Sequence, residues 1–384
     1  MKIDKRIKIE NFGFENQIFF KNINKEKNFL EISSLLKNHK NQEINKNNKI
    51  IELFSKEYLT AKSCKDLKEE FVLSNHEILE FERLSELKKL DYLIYRYKYN
   101  FYPKEKFLDA YPPCVQIEPA SVCNFRCVMC YQADKNFSNN KSGHMGFMDY
   151  TLFKKVIDEI EGEVYAITFA SRGEPTLNKE LGKFLEYAKD KFVNIKINTN
   201  LSTMTERLAN QIFENNVNTL VISADSSDKE SYEKIRVKGK FEKLLKNLET
   251  LKKAKENFKN CKTVIRVSGV RINEEQSLED MSKVYSDMCD AITYVKYVPW
   301  ESSYNNPVND IKEPCSDLWR RTFIWYDGKC NPCDYDYKSF LSKFSLKNES
   351  LKNIWNSKYY NEIRQAHLDK KRNKIFPCDR CPSV

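Results

Sequence analysis

Three closely spaced cysteines are the strongest indication of chemistry in this sequence. Cys123, Cys127 and Cys130 form a C-x3-C-x2-C pattern directly after an apolar run at residues 115–117. Cysteine thiolates hold iron–sulfur clusters, and three of them can bind three irons of a [4Fe–4S] cubane. The fourth iron stays open, and an open metal position is where a substrate or cosubstrate is activated. A zinc site and three buried thiols are the alternatives, although zinc sites usually have four ligands.

The chain from residue 115 onward supplies a frame that can position these cysteines. Apolar runs of strand length occur at 115–117, 164–169, 193–197, 220–223, 264–270 and 292–298, and amphipathic helices are predicted at 150–161, 179–189, 204–215, 241–257 and 278–289. This alternation predicts an α/β fold with a parallel sheet and right-handed crossovers. Six units are too few for a closed eight-stranded barrel, so a partial (β/α)6 barrel is expected. The cysteine loop leaves the C-terminal end of the first strand, where barrel active sites lie.

Two regions of different character flank this alternating part. Helices are predicted at 50–59, 65–72 and 76–90, and a short β ribbon at 7–20. After about residue 305 the alternation stops and one helix is predicted, at 351–367. The core of this tail is too thin to stand alone, which indicates a metal-stapled domain. The expected division is a mainly helical N-terminal domain (1–110), the partial barrel (111–305) and a cysteine-bearing domain (306–384).

Composition and charge narrow the class of protein. The net charge is +10, but Lys and Glu are interspersed along the chain, which is typical of solvated helix faces and argues against a nucleic-acid partner. No apolar run reaches the length needed to cross a bilayer, and the N-terminus lacks an apolar signal core, so a cytoplasmic protein is expected. Twelve cysteines in a reducing compartment indicate metal or redox chemistry instead of disulfides.

The cysteine segment resembles the signature of the radical S-adenosylmethionine (SAM) superfamily, and the resemblance runs from about residue 115 to the C-terminus. It implies that Cys123, Cys127 and Cys130 are the metal ligands and the catalytic cysteines. It also implies that the open iron binds SAM, and that an electron from the cluster cleaves SAM to a 5′-deoxyadenosyl radical. Such an enzyme is oxygen-sensitive and takes its electron from a flavodoxin or a ferredoxin.

The same resemblance implies a set of SAM-binding residues. The residue before the third cysteine is often aromatic and lies near the adenine; here it is Met129. A glycine–glutamate–proline motif follows the second strand, with Arg172 in place of the family's leading glycine, and its glutamate contacts the SAM amino group. The resemblance also implies that Arg236 pairs with the SAM carboxylate. The alternative role for Arg236 is a surface salt bridge. The implied pocket comprises Met129, Gly173, Glu174, Pro175, Asn200, Ser223 and Arg236.

The tail resembles the SPASM/twitch extension of radical SAM enzymes, which carries auxiliary iron–sulfur clusters. The spacing is similar to the shorter twitch form of the radical SAM aminocyclitol dehydrogenases, which implies one auxiliary [4Fe–4S] cluster, with zinc as the alternative. The implied ligands are Cys315, Cys333, Cys378 and Cys381, and Cys330 could replace Cys333. Four thiolates saturate a cubane, so this cluster can carry an electron but not bind substrate. A cluster that can take up an electron favours a reaction in which the substrate is oxidised.

Three hypotheses for function follow. The first is an oxidoreductase of dehydrogenase type acting on a small polar substrate, a sugar or amino sugar. The second is a maturase of a ribosomally made peptide, in which residues 50–95 form a winged-helix leader clamp. The third makes the N-terminal region a docking or dimerisation module. Side chains that could contact substrate hydroxyls are Tyr297, Trp300, Glu301, Asp334, Asp336 and Tyr337, whereas Cys64, Cys114, Cys261 and Cys289 lack ligand spacing and are expected in the core.

Overall fold

A computed structural model describes residues 14–39 and 48–383. The strands are β1 (Phe14–Phe19), β2 (Cys114–Ile117), β3 (Ala166–Phe169), β4 (Asn194–Thr199), β5 (Thr219–Ser223), β6 (Val264–Arg271), β7 (Ala291–Lys296), β8 (Arg321–Ile324), β9 (Lys329–Asn331) and β10 (Phe344–Ser345). The helices are α1 (Lys25–His39), α2 (Asn48–Thr60), α3 (Asn75–Phe81), α4 (Glu86–Glu105), α5 (Tyr150–Ile160), α6 (Leu181–Ala188), α7 (Glu206–Glu214), α8 (Lys229–Ile235), α9 (Phe241–Glu256), α10 (Leu278–Tyr285), α11 (Asp317–Arg320), α12 (Leu351–Trp355) and α13 (Lys358–Leu368).

The described strands form one sheet in the order β1-β7-β6-β5-β4-β3-β2-β8-β9-β10. Strands β2 to β7 are parallel and adjacent in chain order, which confirms the predicted partial barrel. The tail was expected to lie outside this pattern. Instead, its strand β8 pairs in parallel with β2, Gln116 opposite Phe323, and β9 and β10 follow antiparallel. The tail therefore continues the barrel sheet and is not a separate layer.

The two faces of the sheet differ in polarity. Val115, Ile117, Ile167 and Ile197 point to one face and belong to the large apolar core that α5 to α10 cover. The residues between them point to the other face, as expected for side chains that alternate along a strand. That inner face carries Gln116, Thr168, Lys196, Arg266 and Ser268 around a cavity. Parallel strands buried by apolar packing on both faces read as continuous hydrophobic runs, so this polar alternation indicates a lined cavity instead of a second core.

The N-terminal helices close the end of the barrel at which the strands begin. Their apolar core is continuous with Cys114, Ala166 and Val193 at the starts of β2, β3 and β4. The Glu80 carboxylate of α3 accepts hydrogen bonds from Asn194 Nδ2 and Thr219 Oγ1, at 2.9 Å each. Because these contacts join the helices to four consecutive strands, β2 to β5, the N-terminal region is part of the barrel's structure.

Several element boundaries differ from the sequence-based predictions. The helix predicted at 65–72 is two single 3-10 turns, because Leu67 and Lys68 adopt extended backbone between them. The helix predicted at 76–90 is divided into α3 and α4, since Ser85 is extended at the start of α4. The helix predicted at 351–367 is likewise divided, and the Ser357 side chain caps α13. Helices α1, α8 and α11 were not predicted.

The predicted ribbon at 7–20 lies partly outside the described residues. Its described part is β1, which pairs antiparallel with β7. No helix among the described residues is long and apolar enough to cross a membrane.

Candidate active site

The cysteine loop follows β2 and brings its three thiols into one apolar pocket. Cys127 packs with buried Phe125, Met129 and Ile235, and Cys123 and Cys130 lie against the same group. Backbone N–H groups donate to two of the sulfurs, Phe125 N to Cys123 Sγ at 3.4 Å and Gln132 N to Cys130 Sγ at 3.5 Å. Such donors stabilise negative charge on sulfur, so the loop fits a set of metal-bound thiolates. Without iron, burial raises the pKa of the Cys123 thiol to about 12.

The turn after β3 is pressed against the cysteine loop. The Glu174 N–H donates to the Val122 carbonyl oxygen at 2.9 Å. A Cβ atom added at Gly173 would lie 2.5 Å from that same oxygen and closer still to the Ala120 carbonyl. This close approach explains why a glycine stands there.

Glu174 is a buried carboxylate that organises the end of β4. Its Oε1 accepts from Thr199 Oγ1 and Thr176 Oγ1 at 2.6 Å each, and its Oε2 accepts from Asn200 N at 2.7 Å. Burial raises the pKa of Glu174 despite these donors. Pro175 starts a 3-10 turn that Glu174 caps through Thr176 N. One lone pair of Oε2 has no partner among these contacts and can accept a further donor.

Arg236 is partly buried beside the cysteine loop, and its ion-pair partner Asp225 is fully buried, so the pair is not a surface salt bridge. Its Nε and Nη2 hold the two oxygens of the fully buried Asp225, with the Nη2 bond at 2.9 Å. The Val270 N–H also donates to Asp225, at 2.7 Å. The remaining guanidinium nitrogen, Nη1, lies 3.8 Å from Cys127 Sγ. Asp225 thus fixes a guanidinium whose third nitrogen faces the cysteine site.

Asn200 and Ser223, two further residues of the implied SAM pocket, lie in different places. Asn200 Nδ2 donates to Asn124 Oδ1 at 3.1 Å and lies 3.9 Å from Cys123 Sγ, so Asn200 is next to the cysteine loop. Ser223 instead lines the cavity inside the sheet.

This cavity has a volume of about 780 Å³ and runs along the inner face of the sheet. Ser223 and Arg236 line it toward the cysteine loop, and Glu77, Glu80 and Arg96 of α3 and α4 line it at the opposite end. Sequence reasoning did not identify its inner residues, such as Lys196 and Arg266. The alternation of charged and apolar residues along β4 and β6 is the signal that could have found them.

The tail brings four of its five cysteines together. Cys315, Cys333, Cys378 and Cys381 line one small cavity, and the Ser383 N–H donates to Cys381 Sγ at 3.4 Å. Cys330 is fully buried in the large core on β9, away from that cavity. No three His, Cys, Asp or Glu side chains in the described parts of the chain surround a single metal-ion position. A cubane spreads its four thiolates over four irons, so this arrangement fits a cluster.

The other predicted polar contacts have mostly structural partners. Asp336 accepts from Phe340 N and Leu341 N at 3.0 and 2.7 Å, and Tyr337 OH donates to Asp134 Oδ2 at 2.8 Å.

Tyr297 OH donates to Glu301, and Trp300 packs on Tyr131 and Tyr335. Asp334 accepts from Ser171 Oγ at 2.6 Å and from Gln116 Nε2 at 3.0 Å, and the second contact places it beside a cavity residue.

Arg172, which replaces the expected glycine, connects the barrel to the tail. Its Nε and Nη2 donate to the Glu118 carboxylate at 2.6 Å each, and its Nη1 donates to the Tyr337 carbonyl at 3.0 Å. Its guanidinium also lies 4.2 Å from the ring centre of Trp325. Arg172 therefore has a structural role that a glycine could not fill.

Comparison with known proteins gives two family matches. The family described as "Radical SAM superfamily" matches residues 117–284, and the SPASM family, described as "Iron-sulfur cluster-binding domain", matches residues 315–382. The two matches together cover more than half of the chain.

Individual relatives are more distant. The chain is 26% identical over 226 residues to mycofactocin maturase MftC of Mycolicibacterium smegmatis, which covers 59% of this chain and 54% of that protein. It is 31% identical over 111 residues to the tungsten-containing aldehyde ferredoxin oxidoreductase cofactor-modifying protein of Pyrococcus furiosus, which covers 28% of this chain and 30% of that protein. The chain thus spans about half the length, or less, of these two relatives.

A solved structure shares the fold. SuiB of Streptococcus suis bound to the precursor peptide SuiA has a TM-score of 0.52 and 14% identity, and the match covers 83% of this chain and 79% of that one. Three findings point to the same family. They are the partial barrel, the cysteine loop at the end of its first strand, and the two family matches. The chain belongs to the radical SAM superfamily, in the group that carries a C-terminal SPASM domain, and it is an enzyme that uses S-adenosylmethionine and [4Fe–4S] clusters.

Proposed function

We propose that this enzyme oxidises a small polar substrate of sugar type in the barrel cavity. The observation that carries the proposal is the cavity itself, which is polar and is closed at one end by α3 and α4. A cleft of this size suits a small molecule better than an extended chain. The proposed domain limits remain 1–110, 111–305 and 306–384.

Cys123, Cys127 and Cys130 are the proposed ligands of the SAM-binding cluster. When bound, this cluster and SAM supply the 5′-deoxyadenosyl radical. Two observations support these cysteines as cluster ligands. Backbone N–H groups donate to Cys123 and Cys130, and Gly173 lets the turn after β3 approach the loop.

The remaining pocket residues bind and orient SAM in this proposal. Arg236 offers its Nη1 to the SAM carboxylate, since Asp225 already holds its other two nitrogens. Glu174 accepts the SAM ammonium at Oε2, where a lone pair is available. Asn200 and Ser223 bind the ribose, Met129 lies near the adenine, and Gly173 and Pro175 shape the turn.

Cys315, Cys333, Cys378 and Cys381 are the proposed ligands of a single auxiliary [4Fe–4S] cluster. Four thiolates leave no iron open, so its role is electron transfer. With SAM and both clusters bound, the adenosyl radical would supply an acceptor for one hydrogen atom and the auxiliary cluster an acceptor for one electron, and one proton would pass to water. The product is therefore two mass units lighter than the substrate.

A peptide maturase is the second candidate. The likeness to mycofactocin maturase MftC favours it, and so does the shared fold with SuiB, whose structure contains a precursor peptide. The N-terminal region argues against a winged-helix leader clamp. In residues 14–39 and 48–105 the structure places a single strand, β1, and that strand pairs with β7 of the barrel.

The test is 5′-deoxyadenosine release under argon, with dithionite in place of a flavodoxin or ferredoxin. Nucleotide sugars, amino sugars and short peptides are compared as substrates. Stimulation by a sugar, with a product two mass units lighter, supports the proposal. Stimulation by peptides alone would favour the maturase, and tight peptide binding to residues 1–110 would then identify the leader site.

A further inference from the structure

Two cations lie on the inner wall of the barrel, on alternate strands of the sheet. Lys196 is on β4 and Arg266 is on β6, and both line the cavity. Burial and the positive charge of Arg266 together lower the pKa of Lys196 to about 8, although the Glu80 carboxylate acts in the opposite direction. The two charges are therefore close enough to repel each other inside the protein.

The Lys196 ammonium has only a longer-range electrostatic interaction with the Glu80 carboxylate in the described parts of the chain. No hydrogen bond or ion pair to its ammonium is formed there. The nearby carboxylates are engaged elsewhere: Glu77 pairs with Arg96, and Glu80 accepts from Tyr92 OH at 2.6 Å as well as from β4 and β5. An ammonium that faces a cavity and donates no hydrogen bond to the protein keeps its three donors available, so this position favours an anion.

The surroundings of Lys196 add neutral hydrogen-bonding groups. The strand register places Thr168 opposite Lys196 and Gln116 opposite Thr168, so the three residues form a row across β2, β3 and β4. Asn198 and Ser268 line the same wall, and the Asn198 Oδ1 atom is buried without a hydrogen bond. A cation surrounded by amide and hydroxyl groups is typical of a site for an oxyanion that carries hydroxyls.

We propose that the substrate carries an oxyanion, a phosphate or a carboxylate, and that Lys196 and Arg266 bind it on the inner barrel wall. This inference rests on the proposed function, because it assumes that the substrate occupies the cavity. The anion anchors one end of the substrate while the other end extends toward Ser223 and Arg236 at the cysteine loop. A sugar phosphate, nucleotide sugar or sugar acid fits this site, and a cationic amino sugar does not.

The test is an anion titration of the anaerobic, cluster-loaded enzyme with saturating SAM and no reductant. Saturating SAM occupies Arg236, and the missing reductant prevents turnover. Inorganic phosphate is followed by the ³¹P line width, and acetate by the ¹³C line width in a parallel titration. The variants are Lys196→Met, Lys196→Arg, which keeps the charge, and Lys183→Met, which removes an exposed lysine of α6.

We expect saturable binding to the wild type, Lys196→Arg and Lys183→Met, and binding weaker by about tenfold or more in Lys196→Met. Stronger binding of phosphate than of acetate indicates a phosphorylated substrate, and the reverse order indicates a sugar acid. Absence of saturable binding of both ions to the wild type overturns the inference whether or not the variants fold. Equal binding to Lys196→Met and the wild type also overturns it.

The two proposals fail in distinguishable ways. An enzyme that oxidises a neutral sugar but binds neither ion keeps the proposed function and loses the anion site. An enzyme that binds phosphate through Lys196 but releases 5′-deoxyadenosine only with peptides keeps the anion site and loses the sugar assignment.

Discussion

Gly173 lies where the turn after β3 passes closest to the cysteine loop. In a Gly173→Ala variant, the new Cβ would meet the backbone carbonyls of Ala120 and Val122, and backbone cannot move aside as a flexible side chain can. We expect a loss of about 1–3 kcal/mol in stability and a lower iron content in the reconstituted protein.

The matched control for that substitution is Gly162→Ala. Gly162 lies in the turn before β3, where a Cβ meets nothing within 4 Å and only its φ of +75° opposes the change. Gly162→Ala should lower the free energy of unfolding by about 1 kcal/mol and leave the iron content unchanged. Equal iron contents in the two variants would show that the close approach at Gly173 does not hold the loop.

Cys127 is the central cysteine of the loop and the one nearest Arg236. Replacing it by alanine leaves two thiolates, which do not hold a cubane with one open iron. We expect no detectable 5′-deoxyadenosine from Cys127→Ala under argon with dithionite. Cys261→Ala, which changes a partly buried cysteine outside both groups, should keep wild-type release. Release by Cys127→Ala at the wild-type rate would contradict the proposed ligand set.

At the scale of elements, the connection between α3 and α4 is held to the barrel by one ion pair. Arg83 donates to both oxygens of Asp290, at 2.6 and 3.1 Å, and to the Thr263 carbonyl at 2.7 Å. Burial raises the pKa of Asp290, but the hydrogen bonds and charge of Arg83, with Lys255 behind it, lower the net value to about 2.

Arg83→Met should therefore loosen α3 and α4. Lys255 and Lys21 remain near Asp290, so we expect a cost of about 2 kcal/mol, or about thirtyfold in the opening equilibrium seen by amide hydrogen exchange of these helices. Lys283→Met, which breaks an exposed pair on α10, should change exchange little.

The pH dependence of this effect follows from the depressed pKa of Asp290. Such a carboxylate stabilises the fold fully above its unfolded pKa of about 3.9 and loses that contribution as the pH falls toward 2. The difference between Arg83→Met and the wild type should thus be equal at pH 6 and pH 8. A difference that shrinks between these values would mean that another group carries the contact.

At the scale of the whole molecule, one sheet connects the barrel to the tail, because β8 pairs with β2, the strand that precedes the cysteine loop. Cys378→Ala removes one of the four tail thiols that share a cavity. We expect iron to fall from about eight to about four per chain, because one cluster of four irons is lost. SAM cleavage without substrate should persist, while formation of the oxidised product stops.

Cys330→Ala is the control for the tail, since Cys330 is buried in the core of the sheet and away from the other four. It should keep about eight irons per chain. A loss of iron in Cys330→Ala equal to that in Cys378→Ala would contradict the proposed ligand set and return Cys330 to it.

Much of the fold and of the cysteine sites follows from local patterns in the sequence. The spacing of Cys123, Cys127 and Cys130 places three thiols on one loop whatever the rest of the chain does. The six strands and five of the helices follow from periodicity, because burial of one face repeats at fixed intervals along a strand or helix. The roles of the cysteines and of the SAM-pocket residues stay predictions.

Only the tertiary structure decided the features that depend on contacts between segments far apart in the sequence. Sequence could not choose between Cys330 and Cys333, because the choice depends on which face of β9 points into the core. It could not pair Arg236 with Asp225, or bring Lys196 and Arg266 to one wall, because these contacts depend on strand order and register. Local spacing and periodicity are properties of the sequence itself, whereas contacts between strands form only once the sheet has assembled in its register and curved around the cavity.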